Sequence, residues 1–224
     1  MRNPKETAFL LSYALASKRA ASARGRHAAA GGHIPAFLIA SITNRCNLHC
    51  AGCYARANNL CDDQASEELL TDEQWERIFT QAGEIGVSFI LLAGGEPMLR
   101  RGVLACAATH RDILFPVFTN GTLMSDAMLD LLDKNHNLMP ILSIEGDEAQ
   151  TDARRGASTY AKLTANMERM HACGVSSASR HSDGEPEDGY EKRRVFAPLR
   201  QAGRKGRVLW IAMPVIRARS RSPR

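Results

Sequence analysis

The sequence predicts an α/β fold built on a parallel sheet, and three observations carry that prediction. Apolar runs of strand length recur along the chain without polar alternation, as suits strands covered on both faces. Each run is followed by a segment whose apolar residues recur at helical spacing. Conspicuous polar residues gather just after the runs, where the C-terminal strand ends of such folds carry their chemistry. The 224 residues suit one domain with a sizeable core.

Residues 5–30 predict an Ala-rich amphipathic helix that packs its Phe9, Leu10, Tyr13 and Leu15 side on the domain and stops at Gly31-Gly32. Arg2 and Lys5 before an apolar stretch are weakly like a secretory signal. The acid-free Arg/Ala/Ser content of residues 7–61 is also like a transit peptide. Glu6 and the closely following Lys18, Arg19, Arg24 and Arg26 favour the packed helix over a signal.

Residues 35–42 read as a buried strand, followed by a Cys-rich loop. Thr71 and Gln74 form a capping-box pattern ahead of Trp75, Ile78, Phe79 and Ala82, and Gly86 ends that helix. A second strand spans 87–92 and closes at Gly94-Gly95. A weaker helix follows over 102–111. The third strand, 113–118, ends at Thr119-Asn120-Gly121, and Ser125 caps a helix carrying Met128, Leu129, Leu131 and Leu132. The fourth strand is 140–144. Ser158 opens a helix with Tyr160, Leu163, Met167 and Met170, stopped by Gly174. Four strand–helix units with right-handed crossovers give either an open doubly wound sheet or a barrel.

Polar groups close every strand: Cys46 the first, Glu96 the second, Asn120 the third, Ser143 and Glu145 the fourth. Four such sites on one rim are hard to ascribe to packing. Cys46, Cys50 and Cys53 are spaced C-x3-C-x2-C, so one short loop can curl three thiolates around one centre. Zinc is open on counting, with Cys61 or His49 as fourth ligand. An iron–sulfur cube normally takes four cysteines, so three would leave one iron for a non-protein ligand. Cys106 and Cys173 fall in helices and read as small apolar residues.

The three-Cys loop after the first strand, joined to Gly94-Gly95-Glu96-Pro97 after the second, resembles the radical S-adenosylmethionine (radical SAM) superfamily. The resemblance spans about residues 35–174. Thr119-Asn120-Gly121-Thr122 and Ser143-Ile144-Glu145-Gly146 are similar to that family's third and fourth strand ends. Asp152-Ala153-Arg154-Arg155-Gly156 resembles a stretch of its peptide-modifying and cofactor-maturing branches. Gly52 stands where an aromatic residue is frequent, and Glu145 where many relatives have Asp.

The resemblance implies a partial TIM-like (βα) barrel with four clear units and an incomplete C-terminal part. It implies that Cys46, Cys50 and Cys53 hold three irons of a 4Fe–4S cluster, whose open iron chelates S-adenosylmethionine. Gly94, Gly95 and Glu96 would take the methionyl ammonium. Asn120, Ser143 and Glu145 would approach the ribose or methionyl part, and Arg155 the methionyl carboxylate, which suits its two-donor fork. One electron into the cluster would cleave the sulfonium, and the resulting 5′-deoxyadenosyl radical would abstract a substrate hydrogen. The cofactor carries that chemistry while the protein orients it. The implied partners are a peptide or small-molecule substrate and an electron donor such as flavodoxin or ferredoxin.

The last 51 residues break the pattern. Residues 1–173 hold 17 basic and 19 acidic side chains, whereas residues 174–224 hold 12 and 5. The whole positive excess of the chain, net +5, therefore lies in this tail. Residues 176–189 are polar and lack aromatic and β-branched residues, so a loop or disorder replaces the expected fifth strand. One later strand is expected within 208–216. Three regions result: a helical extension over 1–34, the core over 35–174, and an atypical basic tail over 175–224. The front and back of the chain match so poorly that a truncated or frame-shifted C-terminal part is expected. Translation of the neighbouring DNA in other frames tests that.

Composition excludes collagen-like and wholly disordered classes, and six cysteines are too few for a disulfide scaffold. No apolar run reaches the roughly 20 residues of a membrane-spanning helix. The tail's few aromatics argue against a nucleic-acid partner, and no membrane partner is expected. An oxygen-sensitive cluster with unpaired cysteines suits a reducing cytoplasm. The competing function is a non-catalytic metal or iron–sulfur module left by truncation. Such a module has no use for Gly-Gly-Glu-Pro.

Overall fold

The computed structural model describes residues 4–58, 61, 69–181 and 209–210. It begins with helix α1, Pro4–Ala29, and strand β1, Phe37–Thr43. The short helix α2, Tyr54–Ala57, follows the cysteine loop. Then come α3, Asp72–Glu84; β2, Phe89–Gly94; a 3-10 turn at Pro97–Leu99; α4, Arg101–Thr109; and β3, Phe115–Thr119. The chain continues through α5, Asp126–Lys134; β4, Leu138–Ile144; α6, Glu148–Arg155; and α7, Thr159–Ala172. Strands β5, Ala178–His181, and β6, Leu209–Trp210, complete the described sheet.

All neighbouring strands are parallel, and their spatial order is the chain order from β1 to β6. Each crossover therefore steps to the next strand in the same direction. A doubly wound sheet reverses direction at a switch point, and this one does not. The topology is that of a partial (βα) barrel, which settles the choice the sequence left open.

Local signals explain the helix starts. Thr71 Oγ1 accepts from the Gln74 amide at 3.2 Å, while the Gln74 side chain accepts from the Thr71 amide at 2.7 Å. Ser125 Oγ accepts from the Met128 amide at 3.2 Å. Ser158 behaves differently: it is left-handed at φ 61° and makes no side-chain cap. Asp152 does the capping instead, its carboxylate accepting from the amides of Ser158 at 2.6 Å and Tyr160 at 2.8 Å. Helix α6 has mostly polar residues, so apolar spacing does not announce it; Asp147 and Gln150 start it with a second capping box.

The core lies between the helices and one face of the sheet. Ile42, Ile90, Leu92, Phe115, Val117, Leu142 and Ile144 meet Trp75, Phe79, Leu104, Leu132 and Leu163 there. Phe79 stacks edge-on against Phe115 at 5.0 Å between ring centres. Strand β1 departs from the buried strand expected. Its Leu38, Ala40 and Ile42 side joins the core, but Phe37 is 58% and Ile39 62% exposed. The reason is topological: β1 pairs only with β2 among the described strands, and helices cover one of its faces.

Two further expectations are corrected. Leu10 and Leu15 of α1 are exposed, so the packed stripe keeps Phe9 and Tyr13 of the four expected and adds the buried Ala16, each about one turn on. Tyr13 Oη donates to the Ser88 carbonyl at 2.9 Å, Arg24 donates to the Gly86 carbonyl, and Lys5 pairs with Asp133 at 2.9 Å. These partners precede β2 and end α5, so α1 crosses the N-terminal ends of the strands. The expected loop after Gly174 is also interrupted. Ala178–His181 pairs in register with β4, Ile141 against Ala178 through Ile144 against His181, so a fifth strand is present. Backbone pairing needs no apolar side chains, which is why composition missed it. Of the strand expected within 208–216, Leu209–Trp210 pairs with β5, and 211–216 lie outside the described residues. Among the described residues no helix is long and apolar enough to cross a membrane.

Candidate functional site

The cysteine loop leaves β1 at Thr43 and passes over the ends of β2 and β3. Its first anchor is backbone. The Gly95 amide donates to the Thr43 carbonyl and the Glu96 amide to the Arg45 carbonyl, each at 2.8 Å. This approach requires glycine. Gly94 sits at φ 125°, and a Cβ there would lie 2.2 Å from the Thr43 oxygen. A Cβ on Gly95 would lie 2.1 Å from the Arg45 oxygen. The Gly-Gly pair is therefore needed for close passage of two backbones, whatever else it binds.

The second anchor is Glu96, which is 1% exposed. Its Oε1 accepts from the Met98 amide at 2.9 Å and Thr119 Oγ1 at 2.8 Å, and its Oε2 accepts from the Asn120 amide at 2.7 Å. An ionised carboxylate offers about four lone-pair positions, so these bonds leave one, on Oε2. Burial pushes the Glu96 carboxyl above its ordinary value, opposed by those three bonds and by the charge of Arg155. From Asn120 the network continues. Asn120 Nδ2 donates to Asn47 Oδ1 at 2.8 Å, and Asn47 Nδ2 donates to Thr122 Oγ1 at 2.9 Å.

The third anchor is α6. The Ala51 amide donates to the Arg154 carbonyl at 2.7 Å, and Arg154 Nε donates back to the Ala51 carbonyl at 3.2 Å. Arg154 also reaches Glu145 Oε2 at 2.8 Å. Arg155, 8% exposed, places Nε at 3.0 Å from Glu145 Oε1 and adds a second bond from its terminal nitrogen. Both Arg154 and Arg155 thus converge on one buried carboxylate. Ser143 is buried on β4, two residues before Glu145.

The three clamped thiols are half-buried and free of disulfides. Burial pushes the Cys46 thiol up to about 11; the Leu48 amide opposes this, and Glu96, Cys61 and Cys50 add to it. Burial likewise raises Cys50, while the charge of Arg155 opposes it. Cys61 is buried, 5% exposed, and close enough to Cys46 to act on it. No three Cys, His, Asp or Glu side chains among the described residues converge tightly enough to hold one metal ion. The donor set, three soft thiolates on one loop, fits an iron–sulfur cluster as well as zinc.

The sequence-derived positions thus fall into two connected groups. Gly94, Gly95, Glu96 and Asn120 join the loop on one side; on the other, Glu145, with Arg155 paired to it, reaches the loop through Arg154. Asn47, Thr119, Thr122 and Arg154 belong to the same constellation, and none was given a role from the sequence, although the last three lie in the family-like stretches. Asn47 and Arg154 each adjoin a residue that was given one, which is the signal that could have found them.

The family model described as Radical SAM superfamily matches residues 40–192. The PqqA peptide cyclase of Granulibacter bethesdensis is 38% identical over 102 residues, 45% of this chain and 26% of that protein. The sporulation killing factor maturation protein SkfB of Bacillus subtilis is 32% identical over 126 residues, 55% of this chain and 30% of that protein. Among solved structures, Streptococcus suis SuiB bound to S-adenosylmethionine matches with a TM-score of 0.61 at 19% identity. That match covers 83% of this chain and 41% of SuiB. The chain spans under a third of the length of these two curated relatives.

Proposed function

The chain belongs to the radical SAM superfamily, and on that premise we propose that it is a radical S-adenosylmethionine enzyme acting in peptide modification. The observation that carries this reading is the clamped loop. Three free, half-buried thiols are held between the strand rim and α6 by anchors on both sides. The names of the relatives, a PqqA peptide cyclase and a maturation protein, support a peptide substrate, as does the structural likeness to SuiB solved with its precursor peptide.

In this reading Cys46, Cys50 and Cys53 would hold a 4Fe–4S cluster, and S-adenosylmethionine would bind beside it. When bound, the pair supplies one-electron cleavage of the sulfonium and hydrogen abstraction from substrate. The residues of the chain do the rest. The three thiols lose their protons to become ligands. Glu96 turns its remaining Oε2 position, with the carbonyls of Gly94 and Gly95, toward the methionyl ammonium. Asn120, Ser143 and Glu145 line the approach to the ribose and methionyl part. Arg155, oriented by Glu145, presents a guanidinium edge to the methionyl carboxylate. The electron comes from a donor of the flavodoxin or ferredoxin kind, in a reducing cytoplasm.

Anaerobic reconstitution with iron and sulfide tests the reading. The expected outcome is a charge-transfer absorbance, and 5′-deoxyadenosine on adding dithionite and S-adenosylmethionine. Cys46→Ala is expected to lose both, and Cys106→Ala neither. Absence of cluster and product together rejects the enzyme. A cluster without product would identify a metal-binding module instead.

A further inference from the structure

Asn47 follows the first cysteine of the loop, yet its side chain points across to β3 and is used at both ends. Its Oδ1 accepts from Asn120 Nδ2 at 2.8 Å, and its Nδ2 donates to Thr122 Oγ1 at 2.9 Å. Asn120 Oδ1 in turn accepts from the Thr122 amide at 2.9 Å and the Thr122 hydroxyl at 2.7 Å. This closes a three-residue ring of hydrogen bonds. The Asn120 amide donates to Glu96 Oε2 at 2.7 Å. An unbroken chain therefore runs from Cys46, through Asn47 and Asn120, to the Glu96 oxygen that keeps one acceptor position.

Resting on the proposed function above, we infer that Asn47 is a positioning residue that sets the distance between the cluster and bound S-adenosylmethionine. It ligates nothing itself. It fixes the cysteine loop to the same Asn120 that orients Glu96, so the two halves of the cofactor site share one strut. Asn47 lies on the exposed side of the loop, so the core does not depend on it. Loss of its two bonds frees the loop to move relative to β3 while Cys46 stays bound to iron. Two neutral hydrogen bonds of this kind correspond to about tenfold in an equilibrium constant.

The test compares the full chain, Asn47→Ala and Asn47→Asp after anaerobic reconstitution. Iron content, thermal midpoint, equilibrium binding of S-adenosylmethionine and the paramagnetic resonance spectrum of the reduced cluster are measured on each. Asn47→Ala is expected to keep the parent's iron content and midpoint, to bind S-adenosylmethionine about tenfold more weakly, and to show a diminished spectral shift on adding it. Asn47→Asp keeps the acceptor for Asn120 and loses the donor to Thr122, so about a threefold weakening is expected. Unchanged binding and spectrum in a loaded Asn47→Ala overturns the inference alone. Iron content falling in step with the midpoint also overturns it, because that marks a merely structural role. A parent chain that takes up no iron overturns the enzyme reading, and this inference with it.

Discussion

Glu96 has a structural task of its own at the strand rim. Its carboxylate ties the 3-10 turn after β2 to the end of β3 through Met98, Thr119 and Asn120. Glu96→Ala would strand three buried donors, and we expect it to cost about 2–4 kcal/mol in urea unfolding, apart from any effect on cofactor. His136 gives a pH signature at the other end of the barrel. It lines a cavity of about 180 Å³ under α1, beside Glu6, Tyr13 and Leu138. Burial lowers its pKa from 6.5; Asp133 and Glu6 oppose that and Lys5 reinforces it. The folded chain thus refuses a proton that the unfolded chain accepts. The stability this brings is complete above about pH 6.5 and lost as pH falls below it. His136→Leu should flatten the fall of the melting temperature as pH drops below about 6.5.

At the scale of elements, the junctions between strand ends and loops position the site. Gly94 and Gly95 let β2 pass within van der Waals reach of the backbone from Thr43 to Cys46. Gly95→Ala must push the Arg45 carbonyl away, with an expected loss of about 2–3 kcal/mol in thermal or denaturant unfolding. The reconstituted variant should also hold less iron, because the displaced segment carries Cys46. The Asp-x-x-Arg-Gly stretch divides its labour. Asp152 caps α7, Arg154 clamps Ala51, and Arg155 forms a buried pair with Glu145. Motif likeness indicated Arg155 alone, because spacing says nothing about which backbone a side chain will meet.

Across the whole molecule the two ends of the sheet have separate tasks. The thiols and their struts lie at the C-terminal rim; α1, attached through Tyr13, Ala16 and Arg24, closes the N-terminal rim. Removal of residues 1–29 should lower the melting temperature by several degrees. Iron content after reconstitution should stay near that of the full chain, since the anchors of the cysteine loop described above do not involve α1. Loss of cluster uptake in that truncation would show that the two rims are coupled.

Periodicity and punctuation were enough for the alternation of strands and helices, because capping at Thr71 and Ser125 and the apolar runs act locally. The thiol spacing and the Gly-Gly-Glu-Pro turn were likewise legible, since each is contained in a few consecutive residues. The direction of winding was not, because nothing local distinguishes a barrel from a doubly wound sheet until strands are ordered in space. Composition concealed β5, whose pairing with β4 is a matter of backbone register. The exposure of Phe37 and Ile39 followed from an edge position that sequence does not encode. The struts of the site, Asn47 to Asn120 and Ala51 to Arg154, join residues 73 and 103 positions apart. Such bonds exist only once the chain has folded, since closing loops of that length is an entropic cost that the assembled core must offset.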